Sequence, residues 1–81
     1  MAESKHAPPV HVVKRGRIRV AVWQNQDSEG RVYYTMTMSR GYRDGETWKE
    51  TPSLNRDTGY QAARAIEQAT DWIFAQGENE A

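Results

Sequence analysis

Apolar and polar residues alternate with a period of two through most of the first half of the chain, and with a helical period after it. From Arg17 to Trp23 the even positions Ile18, Val20 and Val22 are apolar, and between them stand Arg17, Arg19, Ala21 and Trp23. From Arg31 to Arg40 the even positions Val32, Tyr34, Met36 and Met38 are apolar, and the odd ones are Arg31, Tyr33, Thr35, Thr37 and Ser39. Such alternation marks strands with one face turned to a core. Val10 to Val13 reads as a short leading strand. Trp48 to Leu54 reads as a closing one, with Pro52 at an edge or a frayed end. From Asn55 to Gln76 the residues Ala62, Ala65, Ile66, Ala69, Trp72 and Ile73 recur at helical spacing. Asn55 or Asp57 supplies the N-cap and Gly77 a stop. The pattern predicts an α+β domain: an antiparallel meander of three to four strands, then one C-terminal helix packed on one sheet face.

The hairpin before the last strand turns on Asp44-Gly45, a strong turn signal. A two-residue loop at Asp44-Gly45 sets Met38 opposite Thr51. A three-residue loop over Arg43 to Gly45 sets Arg40 by Trp48, Met36 by Pro52 and Tyr34 by Leu54 on the core side, with Ser39 by Lys49 and Thr37 by Thr51 on the other. A one-residue slip exchanges the faces, so consistency of the apolar face favours the longer loop. It leaves Glu50 on the core side near Met38, which requires a wet rim or a pairing with Arg40.

At 81 residues the chain makes one domain. The reading divides it into an arm over 1–9, a sheet-plus-helix domain over 10–76 and an acidic tail over 77–81. A domain this small buries a modest share of its surface, and with no cysteine it has no disulfide staple, so a homodimer is expected. The lack of cysteine and of any long apolar run points to a cytoplasmic protein with no membrane partner.

The net charge is zero, but it is unevenly spread. Val10 to Arg56 carries nine cations against five acids, whereas Asp57 to Ala81 carries one cation against five acids. The strands are basic and the helix acidic, and a local field rather than the total decides where an anion docks. The odd sheet face concentrates this charge beside hydroxyls and aromatics. Arg17 and Arg19 stand about 7 Å apart on a strand, near the spacing of successive phosphates. Trp23 and Tyr33 offer rings for base stacking, and Thr35 can donate to phosphate oxygens. The candidate nucleic-acid-binding set is Lys14, Arg15, Arg17, Arg19, Trp23, Arg31, Tyr33, Thr35 and Lys49. Lys14-Arg15-Gly16-Arg17 reads either as a backbone-wrapping cluster or as a solvated turn. The alternatives to nucleic acid are a protein contact and a plain solvated sheet, since exposed strands favour the same residues.

Other chemistry is sparse. His6 and His11 lack companions for a metal site, and His11 reads as a strand-surface residue. Asp27 with Glu29, and Asp44 with Glu46, read as turn residues beside glycines. Trp48 and Trp72 read as core or interface residues. No nucleophile with its base, phosphate loop or metal signature is present. The expectation is therefore a non-enzyme with no cofactor, no metal and no small-molecule substrate.

The stretch from Tyr33 to Trp72, with RGYRDGETWKETPSLNRD and the helix end ATDWI, resembles a group of small uncharacterised bacterial proteins. More distantly, the element order and the Ser53-Leu54-Asn55 entry into the helix are similar to the single-stranded-DNA-binding domain of transcriptional positive cofactor four. That resemblance implies a four-stranded sheet before one helix, a dimer, and single strands running across the sheet, with Arg17, Arg19, Arg31 and Lys49 as the basic surface. That family is richer in lysine on its sheet. Three strands and a helix also resemble the apetala-type and integrase arm-binding domains, which implies duplex DNA as an alternative ligand. A protein-interaction module is the alternative from another class.

Overall fold

The computed structural model describes residues 8–80, with side chains to Gln76. The expected arm therefore lies largely outside the described residues, as do His6 and the side chains of the tail. Four strands, β1 (His11–Arg15), β2 (Ile18–Gln26), β3 (Val32–Asp44) and β4 (Thr47–Thr51), form one antiparallel sheet in the order β1-β2-β3-β4. A short 3₁₀ turn over Arg56–Thr58 leads into α1 (Gly59–Glu80). The α+β meander followed by one helix is as the alternation predicts, with four strands rather than three.

Turn chemistry joins the strands. β1 and β2 meet at Gly16-Arg17, since Arg15 pairs with Ile18. β3 and β4 meet at Gly45-Glu46, since Asp44 pairs with Thr47. Gly16 and Gly45 have φ of 58° and 66°, and among the described residues no non-glycine residue has positive φ. A lone left-handed glycine at the first loop position is the pattern of a type II′ hairpin, whose twist matches that of its strands. The helix entrance is capped by Asn55, whose Oδ1 accepts from the Thr58 amide at 3.0 Å while the Thr58 hydroxyl accepts from the Asn55 amide at 3.2 Å. This reciprocal pair satisfies two otherwise free donors and contributes about 1 kcal/mol. Gly77 does not stop the helix, which runs on to Glu80.

The core lies where the two periodicities meet. Ile18, Val20 and Val22 of β2 are fully buried against Ala62, Ala65 and Ala69 of α1, with Val13, Tyr34, Met38, Trp72 and Ile73 packed around them. The alanines let the helix sit close to the sheet. Each buried aliphatic chain of this size stabilises the fold by about 1.5–3 kcal/mol. Trp72 holds the far end, stacked on His11 at 4.7 Å and meeting Tyr34 edge-on at 5.8 Å. His11 is thus a helix-side packing residue rather than a strand-surface one. α1 packs on β1 and β2 and only grazes β3. Met36, Leu54 and Ile66, expected in or beside the core, are accordingly exposed.

A candidate nucleic-acid interface on the open sheet face

The side of the sheet away from α1 carries no second layer among the described residues. Strand pairing decides which side chains share it. Lys14 stands opposite Arg19, Arg19 opposite Ser39, Trp23 opposite Thr35 and Asn25 opposite Tyr33. Lys14, Arg19, Trp23, Tyr33 and Thr35 therefore share the open face. Arg17 reaches the same face from the turn.

The β3–β4 register differs from the expected one. Arg40 pairs with Thr51, Gly41 with Glu50, Tyr42 with Lys49 and Arg43 with Trp48. The loop has two residues, so even positions of β3 oppose odd positions of β4. Lys49 is thereby corrected to the helix side, where its Nζ lies 3.1 Å from the Asp44 carboxylate. Trp48 takes its place on the open face, more than half exposed, rather than in the core. Glu50 also moves to the open face and is exposed there, which removes the buried acid that the three-residue loop required.

Trp48 anchors a basic cluster. The Arg17 guanidinium lies 4.6 Å and that of Arg43 5.5 Å from its ring centroid. Each such contact is worth about 0.5–1 kcal/mol at an exposed site and holds the cation in place. Lys14 and Arg19 share the face with this cluster, on β1 and β2, and Glu50, opposite Gly41 on β4, is an acid on the same face. Tyr33, nearly half exposed, and Trp23 also lie on this face. The Trp23 indole is less free than expected: its Nε1–H donates to the Thr37 hydroxyl at 2.9 Å. Asn25 donates to the Thr35 hydroxyl at 3.2 Å, and its Oδ1 is buried without a partner among the described residues. Ala21 is buried between its cross-strand partners Val12 and Thr37.

Two further expected site residues lie elsewhere. Arg15 pairs with Ile18 and so belongs to the helix side, because successive strand residues alternate. Arg31 precedes β3 and is held in the loop, its Nε 3.2 Å from Asp27 Oδ2 and its Nη2 2.8 Å from Glu29 Oε1. Asp27 Oδ1 also accepts from the amides of Glu29 and Arg31, both at 2.9 Å. Asp27 and Glu29 are turn residues, as expected, and they neutralise Arg31. Arg43 and Trp48 were missed because they depend on the register; the misplaced Glu50 was the signal that could have exposed it.

The Arg31 amide, helped by the Glu29 amide and the Arg31 guanidinium, holds the Asp27 carboxyl below the ordinary value of 3.8. A carboxylate held low stabilises its loop fully above its unfolded pKa, and this contribution is lost as pH falls through the lower native value. The Glu29 and Arg31 amide resonances are expected to titrate with a midpoint below 3.8. A midpoint at or above that value would contradict the loop geometry.

Among the described residues no group of three His, Cys, Asp or Glu side chains could hold a metal ion, and no helix is long and apolar enough to cross a membrane. Comparisons with family models, with curated proteins and with solved structures return no match.

Proposed function

We propose that this protein binds single-stranded nucleic acid on the open sheet face, without catalysis and with little sequence preference. The observation that carries the reading is the packing of Arg17 and Arg43 on the exposed Trp48, with Lys14 and Arg19 paired on the same sheet face, which has no covering layer among the described residues. Cations at strand spacing neutralise a phosphate backbone, and exposed rings stack on unpaired bases of any sequence. Trp48 and Tyr33 are the platforms and Trp23 a hydrogen-bonded support between them. Exposed rings favour single strands over the duplex alternative, whose bases are already stacked. We place this activity in the cytoplasm, in keeping with the lack of cysteine.

Titration of a labelled single strand and its duplex at low and moderate salt tests the reading. Tighter binding of the single strand, with affinity falling steeply as salt rises, is the expected result. Duplex preference would favour the alternative, and no binding of either at low salt would end the nucleic-acid reading.

The uncovered helix-side surface supports a homodimer as the second part of the proposal. Met36, Leu54 and Ile66 are exposed beside α1, and Ile18, Val20 and Val22 are the only large side chains buried to below 2 % exposure among the described residues. A second copy over Met36 and Ile66 would enlarge that core. Sedimentation should show a dimer that Ile66→Glu dissociates; a monomeric wild type would remove this part.

A further inference from the structure

A second basic site lies at the sheet edge, outside the open face. A shallow cleft of about 440 Å³ opens between the β1–β2 turn and the start of α1, lined by Lys14, Arg15, Gly16, Tyr60, Gln61 and Arg64. Its size falls in the range of ligand sites. Three of the six lining residues are cations and none is an acid. Among the described residues neither Lys14 nor Arg15 has a carboxylate partner, and Arg64 has only the exposed Glu67, at 2.9 Å. Gln61 and Tyr60 add neutral donors, and the first turn of α1 adds the partial positive charge of a helix start. Gly16 is set by its left-handed φ of 58°, and the end of the flexible Gln61 side chain rests against it, where a Cβ would fall 2.6–2.8 Å away.

Strand alternation links this cleft to the open face. Lys14 and Arg15 are neighbours on the edge strand β1, yet Lys14 shares a face with Arg19 and Arg15 with Ile18. The edge is therefore basic on both sides, and a chain of phosphates leaving Arg17 and Arg19 can pass over it without meeting an acid. We infer that the Arg15–Arg64 cleft is a phosphate-binding site. On the reading proposed above, on which this route rests, it takes a backbone phosphate of the strand after that strand has crossed the β1 edge.

Length separates the two sites. Arg15→Ala with Arg64→Ala should weaken binding of a 15-nucleotide strand about tenfold at low salt. It should lower the salt slope by about 0.7, which corresponds to one phosphate contact. A 6-nucleotide strand, which the open face alone accommodates, should bind the variant as it binds wild type. Equal affinity of variant and wild type for the long strand overturns the inference, as does an equal loss for both lengths. Should neither strand bind wild type, the single-strand reading fails, and the cleft is judged with inorganic pyrophosphate. Shifts of the Gln61 side-chain amide in wild type but not in the variant then sustain the phosphate site, and their absence overturns it. Thermal melts of the variant matching wild type confirm that it is folded.

Discussion

Arg17→Glu combined with Arg19→Glu is expected to lower single-strand affinity by about 100-fold or more at low salt. Each single-strand phosphate contact contributes a slope of about 0.7 in log affinity against log salt, so two lost contacts flatten the dependence by about 1.4. Reversing the charge adds repulsion where attraction stood. The loss should come without unfolding, because Arg17 is exposed and Arg19 half-exposed, and neither belongs to the buried cluster. Replacing Arg17 also removes one guanidinium from the Trp48 ring, which costs about 0.5–1 kcal/mol. Lys49→Ala is the contrasting variant. Lys49 lies on the helix side, paired with Asp44, so its loss should change affinity by less than about twofold. A large effect of Lys49→Ala would contradict the observed hairpin register. Fluorescence anisotropy of a labelled strand measures both variants on one scale.

The largest effect on stability is expected from Ile18→Ala. Ile18 opens β2, is 1 % exposed, and belongs to the buried cluster with the alanines of α1. Truncating a buried isoleucine removes its transfer free energy and leaves a cavity, at a cost of about 2–5 kcal/mol. Folding free energies run at roughly 0.05–0.15 kcal/mol per residue, which gives about 4–12 kcal/mol for a chain of this length. About a sixth or more of the total is at stake at one position. A loss of 3 kcal/mol should lower Tm by more than about 12 °C. Thermal denaturation followed by far-ultraviolet circular dichroism reads this directly. A shift of only a few degrees would mean that the helix and sheet are not held together where the structure places them.

Those two variants probe features of different legibility. The buried cluster could be read from the sequence because two periods agree there: apolar residues every second position in β2, and small residues on one stripe of α1. Asn55 could be read because its cap needs only a local acceptor. The open face could be read for Arg17, Arg19, Trp23, Tyr33 and Thr35, whose sidedness follows from the alternation of β2 and β3 without any assumption about the last loop, whereas Lys14 entered only with the basic run. It could not be read for Lys49 and Trp48. A left-handed glycine serves as the second residue of one two-residue loop, the first residue of another, or the last of a three-residue loop. The two two-residue choices share a parity and the three-residue one has the other, so an error of one residue in loop length carries every β4 side chain through the sheet. Only the cost of burying Glu50 separated them, since an unpaired charge is expensive away from water. Arg31 failed for another reason. It continues the alternation of β3, but Asp27 accepts its amide and pairs with its guanidinium, so a local turn outcompetes the strand. Arg15 was misplaced because the basic run was read as a cluster, while alternation divides it between two faces.

The reassigned hairpin strengthens the site it altered. It removes Lys49 and supplies Arg43 and Trp48, so the basic residues acquire an aromatic centre that the sequence assigns to the core or an interface. It also places Glu50 close by, which sets a limit on how an anion can approach.

The most direct test of this account is a titration of the isotopically labelled protein with an unlabelled single strand, followed by NMR. The account predicts that perturbed resonances map to the open face: the backbone amides of Lys14, Arg17, Arg19 and Arg43 and the indole N–H groups of Trp48 and Trp23, with the Trp72 indole on the helix side unmoved. Shifts centred on Trp72, Met36 and Ile66, or no shifts at all at low salt, would contradict it.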